Sequence, residues 1–228
     1  MNGLSSRESG EKFVGSVYEV LKQKIIRSVY EPGERLNIET LAESLEVSAT
    51  PVRECLNRLV AEDLLELVPR VGFFTKPVLE GSVRELYELN FALLNWAIDL
   101  ADNDLSVQNN AVHEPSRPYL QVLSTSARQS PDMLASLSSK MFLNLALLSG
   151  NQELIARIGN INDRLYYIRK VEAVCAKRPD QYILVLCKAI AHQDYSATRA
   201  ALVEYHNECL LVLRNVVKTL RMSTIPCR

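Results

Sequence analysis

Long apolar runs are missing from this 228-residue chain: no stretch of 18 apolar residues exists to cross a bilayer as a helix. The opening residues, Met1 to Lys12, also lack the apolar segment of a signal peptide and read as a polar, mobile tail, so the expected compartment is the cytoplasm. Paired cysteine spacing is absent. The five cysteines (Cys55, Cys175, Cys187, Cys209 and Cys227) are odd in number, far apart and without a C-x-x-C pair, which suits reduced, mostly buried thiols better than a disulfide framework. No sign of charge dominates: 26 Lys and Arg against 27 Asp and Glu leave −1, so any nucleic-acid binding has to come from local segregation. Only three dispersed histidines are present, and G-x-S-x-G, H-E-x-x-H, P-loop and G-x-G-x-x-G motifs are absent. The chain is not expected to be an enzyme.

What the chain does have is helical periodicity, preceded by a punctuated first third. Pro32-Gly33, Pro51, Pro69, Gly72 and Pro77 crowd that third, and the remainder reads as long helices. Val14, Val17, Leu21 and Ile25 fall on one stripe and predict a helix from about Phe13 to Val29, which Pro32-Gly33 follows with a turn. Ile38, Leu41, Ala42 and Leu45 predict a short second helix. Val52, Cys55, Leu56 and Leu59 predict a third, capped by Ser48 or Thr50 and tolerant of Pro51 in its first turn. Alternation around Pro69-Arg70-Val71-Gly72 then predicts a β-hairpin. Helix, short helix, turn, helix, hairpin is the order of a winged helix-turn-helix, whose third helix enters the major groove of DNA.

Several motifs inside this frame resemble the GntR family of bacterial transcription regulators: Glu31-Pro32-Gly33-Glu34-Arg35-Leu36, Leu41-Ala42, the run Val47 to Leu56, Leu59, and Val68-Pro69-Arg70-Val71-Gly72-Phe73-Phe74. The resemblance covers about residues 13 to 78, with residues 1–12 as the flexible tail. It departs at Ala49, where relatives usually carry arginine, and at Cys55, usually alanine. The fold expected is mainly α, a winged helix-turn-helix followed by an all-α six-helix bundle over 79–228.

The same residues suit DNA physically. Ser48 and Thr50 at a helix N-terminus can donate to phosphate beside free backbone N–H groups. Arg53, one turn on, has the fork geometry for guanine or phosphate, Arg70 at the hairpin tip suits a minor groove, and Gly72 keeps that tip tight. Arg35 and Arg58, with Lys22, Lys24, Arg27 and Lys76, are candidate backbone contacts. Residues 1–78 nevertheless hold ten Lys and Arg against twelve Asp and Glu, so Arg53, Arg58 and Arg70 must gather on one face, away from Glu39, Glu43 and Glu46.

Beyond Glu80-Gly81-Ser82, read as a linker, six helical segments are predicted over 82–101, 117–128, 131–148, 152–176, 180–192 and 196–221, with 102–118 as a polar loop. Ser149-Gly150-Asn151 is read as a C-cap followed by an N-cap, and Asp194 or Ser196 as the cap of the last helix. Leu86-Tyr87-Glu88-Leu89, Leu148-Ser149-Gly150-Asn151 and Asp194-Tyr195-Ser196-Ala197 resemble the FadR-type ligand-binding domain, in its VanR-like six-helix branch. Relatives hold a divalent metal there with one Asp and three His. In this chain Ser138, Phe142, Ile183 and Tyr205 stand at those positions, so no metal and no other cofactor is expected.

His206 falls one residue past its family position, and Asn90 stands where relatives often carry arginine. An apolar, uncharged bundle centre bordered by Asn90, Ser138, Phe142, Ile183, Tyr205 and His206 is either a small-molecule pocket or a core that Phe142, Ile183 and Tyr205 simply fill as packing. Trp96, Arg164, Tyr166, Tyr167 and Arg169 lie on helices able to supply further walls. The implied function is a homodimeric, DNA-binding transcription regulator, a repressor on a palindromic operator, tuned by a small-molecule effector and with no membrane partner. The alternative is a dimeric interaction module whose DNA-binding face has decayed.

Overall fold

The structure is a computed structural model that describes residues 3–103, 129–176 and 179–223. Two compact units divide the chain, Met1–Pro77 and Val78–Arg228. Among the described residues there are eight helices and one three-stranded sheet.

The first unit opens with α1, Gly3–Ile26. This corrects the predicted tail: residues 3–12 are helical, and that stretch contains neither proline nor a β-branched residue to stop the helix. The helix also ends before Val29. Ser28 turns left-handed (φ 53) while Val29 N–H bonds back to Lys24 O at 2.9 Å, a six-to-one closure that ends the helix without glycine.

Next come β1 (Arg35–Leu36), α2 (Ile38–Ser44), α3 (Ala49–Ala61), β2 (Leu65–Val68) and β3 (Gly72–Thr75). The sheet order is β1-β3-β2, antiparallel throughout, with Val68 opposite Gly72 and Arg35 opposite Phe74. Asn37 caps α2 by accepting from Thr40 N–H at 3.0 Å. On α3, Val52, Leu56 and Leu59 are fully buried and Cys55 nearly so. Each of the three aliphatic side chains contributes about 1.5–3 kcal/mol to holding α3 in place.

The Pro32-Gly33 turn is fastened to the sheet by Thr75. Its hydroxyl donates to Glu31 O at 2.5 Å and accepts from Glu34 N–H at 2.9 Å, while Gly33 N–H bonds Thr75 O at 3.2 Å. Gly33 takes φ +82, which explains the glycine of Glu31-Pro32-Gly33-Glu34.

The second unit contains α4 (Glu80–Asn103), α5 (Pro131–Leu148), α6 (Gln152–Cys175), α7 (Pro179–Ala191) and α8 (Tyr195–Ser223). Its sheet-free architecture follows the predicted helices closely, and the predicted segment 117–128, with most of the predicted loop, lies outside the described residues. Glu80-Gly81-Ser82 is not a linker but the first turn of α4, where Val83 N–H already bonds Leu79 O and Arg84 pairs with Glu80 at 3.5 Å. Asn151 caps α6 by accepting from Leu154 N–H at 3.1 Å, and Asp194 caps α8 by accepting from Ala197 N–H at 2.9 Å. Gly150 at φ +64 supplies the left-handed residue between α5 and α6. The apolar core runs from Val83 and Leu94 on α4 through Phe142, Leu145, Ile158 and Leu165 to Leu213 and Leu220 on α8.

Candidate nucleic-acid interface

The outward face of α3 is set by the inward one. With Val52, Cys55, Leu56 and Leu59 buried, the 100° step of the helix turns Thr50, Arg53 and Asn57 to solvent on the far side. Ser48 occupies the N-cap position, but its side chain makes no capping bond. Ser48, Ala49 and Thr50 are all exposed there, so the first N–H groups of α3 remain available to an anion.

The β2–β3 hairpin forms the second wall. Its turn is closed by Val71 N–H bonding Val68 O at 3.0 Å, with Pro69 and Arg70 at the corners. Arg70 has φ +65, the left-handed conformation a type II turn requires at its third position and one that usually selects glycine. Gly72 has φ +136, a conformation that favours glycine, and the Arg35 guanidinium lies beside it, at contact distance from where a Cβ would stand.

Between the two walls lies a cleft of about 520 Å³. Arg35, Arg53, Arg70 and Gly72 all border it, together with Asn37, Glu39 and Asn57. Three arginines from β1, α3 and the hairpin therefore meet in one concavity, although the unit is not basic in sum. Glu39 is on this face, contrary to the segregation the charge count demanded, because it sits in the first turn of α2 beside β1. Glu43 and Glu46 do not border the cleft.

Arg58 does not belong to this face. Its guanidinium lies 3.7 Å from the Tyr18 ring centroid and its Nε donates to Glu62 at 3.2 Å, because it is a turn round α3 toward α1. Glu62 gathers that whole side: Tyr18 Oη donates to it at 2.5 Å and Lys22 Nζ at 3.0 Å. Burial would raise the Glu62 carboxyl, but the bonds from Tyr18 and Lys22, the Lys22 charge and the bond from Arg58 outweigh it and hold the pKa below the ordinary value. Lys76 is paired with Asp63. Lys22, Arg58 and Lys76 thus brace the domain. Ser48 and Thr50 lie on α3 outside the cleft lining. Asn57 is the residue that sequence reasoning missed; its one-turn spacing from Arg53 was the available signal.

Comparison with known proteins bears on this arrangement. Residues 13–75 match the model for bacterial regulatory proteins of the gntR family. The Nta operon transcriptional regulator of Aminobacter aminovorans is 34% identical over 143 residues, covering 63% of this chain and 67% of that protein. The chain belongs to the gntR family. The regulator McbR of Escherichia coli is 26% identical over 201 residues, 85% of this chain and 89% of that protein. Among solved structures, E. coli McbR/YncC superposes with a TM-score of 0.64 at 24% identity, covering 89% of this chain and 97% of that one, so the shared fold extends through the helical unit. This gntR member is accordingly a DNA-binding transcription regulator rather than an enzyme. No helix among its described residues is long and apolar enough to cross a membrane.

At the centre of the helical unit stand the four residues expected at the metal-ligand positions. Ser138 Oγ is spent on Leu134 O at 2.9 Å, Phe142 packs edge-on against Tyr205 at 5.3 Å, and Ile183 is buried. That set offers no imidazole or carboxylate donor and does not fit the divalent metal implied by the resemblance. No group of three His, Cys, Asp or Glu able to hold a metal occurs among the described residues. His206 is turned aside, stacked on Phe91 with centroids 4.4 Å apart, and burial lowers its pKa despite the nearby Glu88.

A small cavity does remain at the centre, bordered by Ser138, Ile183 and Tyr205. Asn90, Phe142 and His206 do not border it: Asn90 is buried on α4 and Phe142 lies behind Tyr205. Nor is the centre uncharged, as the sequence suggested. Arg169 and Glu172 of α6 are 3% and 7% exposed and both line it, because they share the inward stripe of Leu165 and Ile168. Trp96 is half exposed.

Proposed function

We propose that this gntR regulator is a homodimeric repressor that reads a palindromic operator through the cleft between α3 and the β2–β3 hairpin, and that a small molecule in the helical unit alters its operator affinity. The observation that carries this reading is the meeting of Arg35, Arg53 and Arg70 in one concavity. Arg53 and Asn57 project where a helix laid in a major groove presents base-reading side chains, Arg to guanine and Asn to adenine. The free N-terminus of α3, with Ser48 and Thr50, anchors phosphate, and Arg70 beside Gly72 enters the neighbouring minor groove while Arg35 holds the backbone.

Leu89 and Trp96 on α4, about half exposed and flanked by Leu86 and Leu93 at the margin of the core, form an apolar surface that a second copy would cover. Effector control works by changing the separation or mobility of the two reading helices, without a metal. The test is a gel-shift assay on duplex DNA from upstream of the protein's own gene. Arg53→Ala should abolish specific retention while leaving the circular dichroism spectrum intact; retained affinity would refute α3 as the reading helix.

The net −2 of residues 1–78, the alanine at position 49 and Glu39 in the cleft favour a second reading, a dimeric interaction module with a decayed DNA face. Salt separates the two, since a regulator loses DNA affinity steeply with added salt and a decayed face shows negligible, salt-insensitive binding.

A further inference from the structure

Arg169 is the most anomalous residue in the molecule. It is 3% exposed in the middle of a helical core, yet only one nitrogen of its guanidinium is engaged by protein acceptors. Nη1 donates to Asn162 Oδ1 at 2.7 Å and to Ser139 Oγ at 3.1 Å, and Asn162 is itself held by donating to Ser139 O at 2.8 Å. The guanidinium carbon lies 4.8 Å from the Phe142 ring centroid. One edge and one face are therefore fixed, while Nε and Nη2 are buried without an acceptor among the described residues. Those two nitrogens form the side edge of the guanidinium, whose parallel N–H bonds match the two oxygens of a planar oxyanion.

The unused edge belongs to a residue that lines the central cavity, with Ser138, Ile183 and Tyr205. The cavity is partly open and leaves about 20 Å³ in which the centre of a water-sized group can sit, room for one small polar head rather than for a whole metabolite. Glu172, one turn further along α6, does not close the edge itself; its carboxylate accepts from Tyr87 Oη at 2.8 Å. An isolated buried cation is costly, and a polar residue half-satisfied in a core is worse than an apolar one unless something completes it.

We propose that Arg169 is the anchor of the effector site and takes one carboxylate group of the ligand, bidentate on Nε and Nη2, with no metal between them. The proposal rests on the reading of the helical unit as the effector domain and adds the chemical class of the ligand. Three features of the cavity set that class. Its one cation, Arg169, presents an unused planar fork beside the carboxyl groups of Glu172 and Glu208, its volume accepts one small polar head, and its apolar walls Ile183 and Leu134 suit the carbon next to that head. The remainder of a larger ligand extends through the open side. At such a site a side-chain cation does by hydrogen bonding what a metal ion does by coordination.

The full-length protein is tested with sodium acetate, sodium chloride and acetamide at constant ionic strength, following its melting temperature. Acetate should raise it by about 3 °C and go on raising it with the logarithm of its concentration, as a ligand specific to the native state does. Chloride and the isosteric amide should not. Arg169→Lys keeps the charge without the fork and should weaken acetate at least tenfold, and Arg169→Met should remove the response. The Arg169 Nε–H resonance of the unmutated protein should also move with acetate, a readout that does not depend on any variant folding. Equal responses to acetate and acetamide, an acetate response surviving in Arg169→Met, or an unmoved Nε–H resonance would overturn the proposal.

Operator affinity with and without acetate separates this inference from the reading beneath it. An Nε–H shift with unchanged operator affinity keeps the anion site and removes effector control. Operator affinity altered by another metabolite, with no anion response, keeps effector control and removes the Arg169 anchor.

Discussion

Arg70 stands where turn geometry asks for glycine, and that conflict makes a quantitative prediction. At φ +65 a side chain crowds the backbone, at a cost of about 1–2 kcal/mol relative to glycine. Arg70→Gly relieves that strain but adds about 0.4–1 kcal/mol of chain freedom to the unfolded state. The expected net effect is therefore a gain of about 0.5–1 kcal/mol, whereas Arg70→Ala, which keeps a Cβ, should leave stability nearly unchanged. DNA binding should move the opposite way. Both variants remove one cation from the cleft, so the slope of log affinity against log salt on nonspecific duplex DNA should fall by about 0.9. Urea unfolding and fluorescence anisotropy on the same preparations read the two effects. A destabilised Arg70→Gly would refute the strain argument, and an unchanged salt slope would remove the hairpin tip from the interface.

Four further outcomes follow from the same structure. Glu39→Gln removes a carboxylate from the cleft and should strengthen nonspecific DNA binding measured by anisotropy; weaker binding would mean that Glu39 orders the arginines around it. Glu62→Gln loses charged partners of Tyr18, Lys22 and Arg58 and should cost about 1–2 kcal/mol in urea unfolding. Because the Glu62 pKa is lowered on folding, its contribution is complete above the unfolded carboxyl pKa and disappears as pH falls through the folded one; the difference between the unmutated protein and Glu62→Gln should therefore shrink in acid. Burial chiefly raises the Glu172 carboxyl, while Tyr87 from α4, Cys209 of α8 and Arg169 of its own helix hold it down and Glu208 of α8 pushes it up. An anion on Arg169 repels ionised Glu172, so acetate should bind more tightly once pH falls below the raised Glu172 pKa; affinity that stays flat or weakens on acidification would refute the coupling. A chelator should leave the melting temperature unmoved, and a stoichiometric metal in purified protein would contradict the poor donor set at Ser138, Phe142, Ile183 and Tyr205.

The sequence alone determined the order of elements and most of the residues that line the α3–hairpin cleft, because those depend on local physics. Apolar stripes at helical spacing located α3 and the long helices of the second unit, Asn151 and Asp194 announced their caps, and the Pro69-to-Gly72 turn announced the hairpin. Arg35, Arg53 and Arg70 were legible one by one. Their convergence was not, since it depends on β1 pairing with β3, which brings Arg35 beside the hairpin. Tertiary structure also moved Arg58 out of the interface, by offering it Glu62 and the Tyr18 ring, partners 4 and 40 positions away along the chain.

The bundle centre was the least legible region. Charged residues on a helix usually face water, so the sequence could not tell Arg169 as wall from Arg169 as surface and did not single out Glu172; α4, α5 and α8 close over both. Periodicity states which stripe of a helix is apolar. Only packing decides which polar residue at the margin of that stripe is carried inside, and which of its hydrogen-bonding groups are left for a ligand.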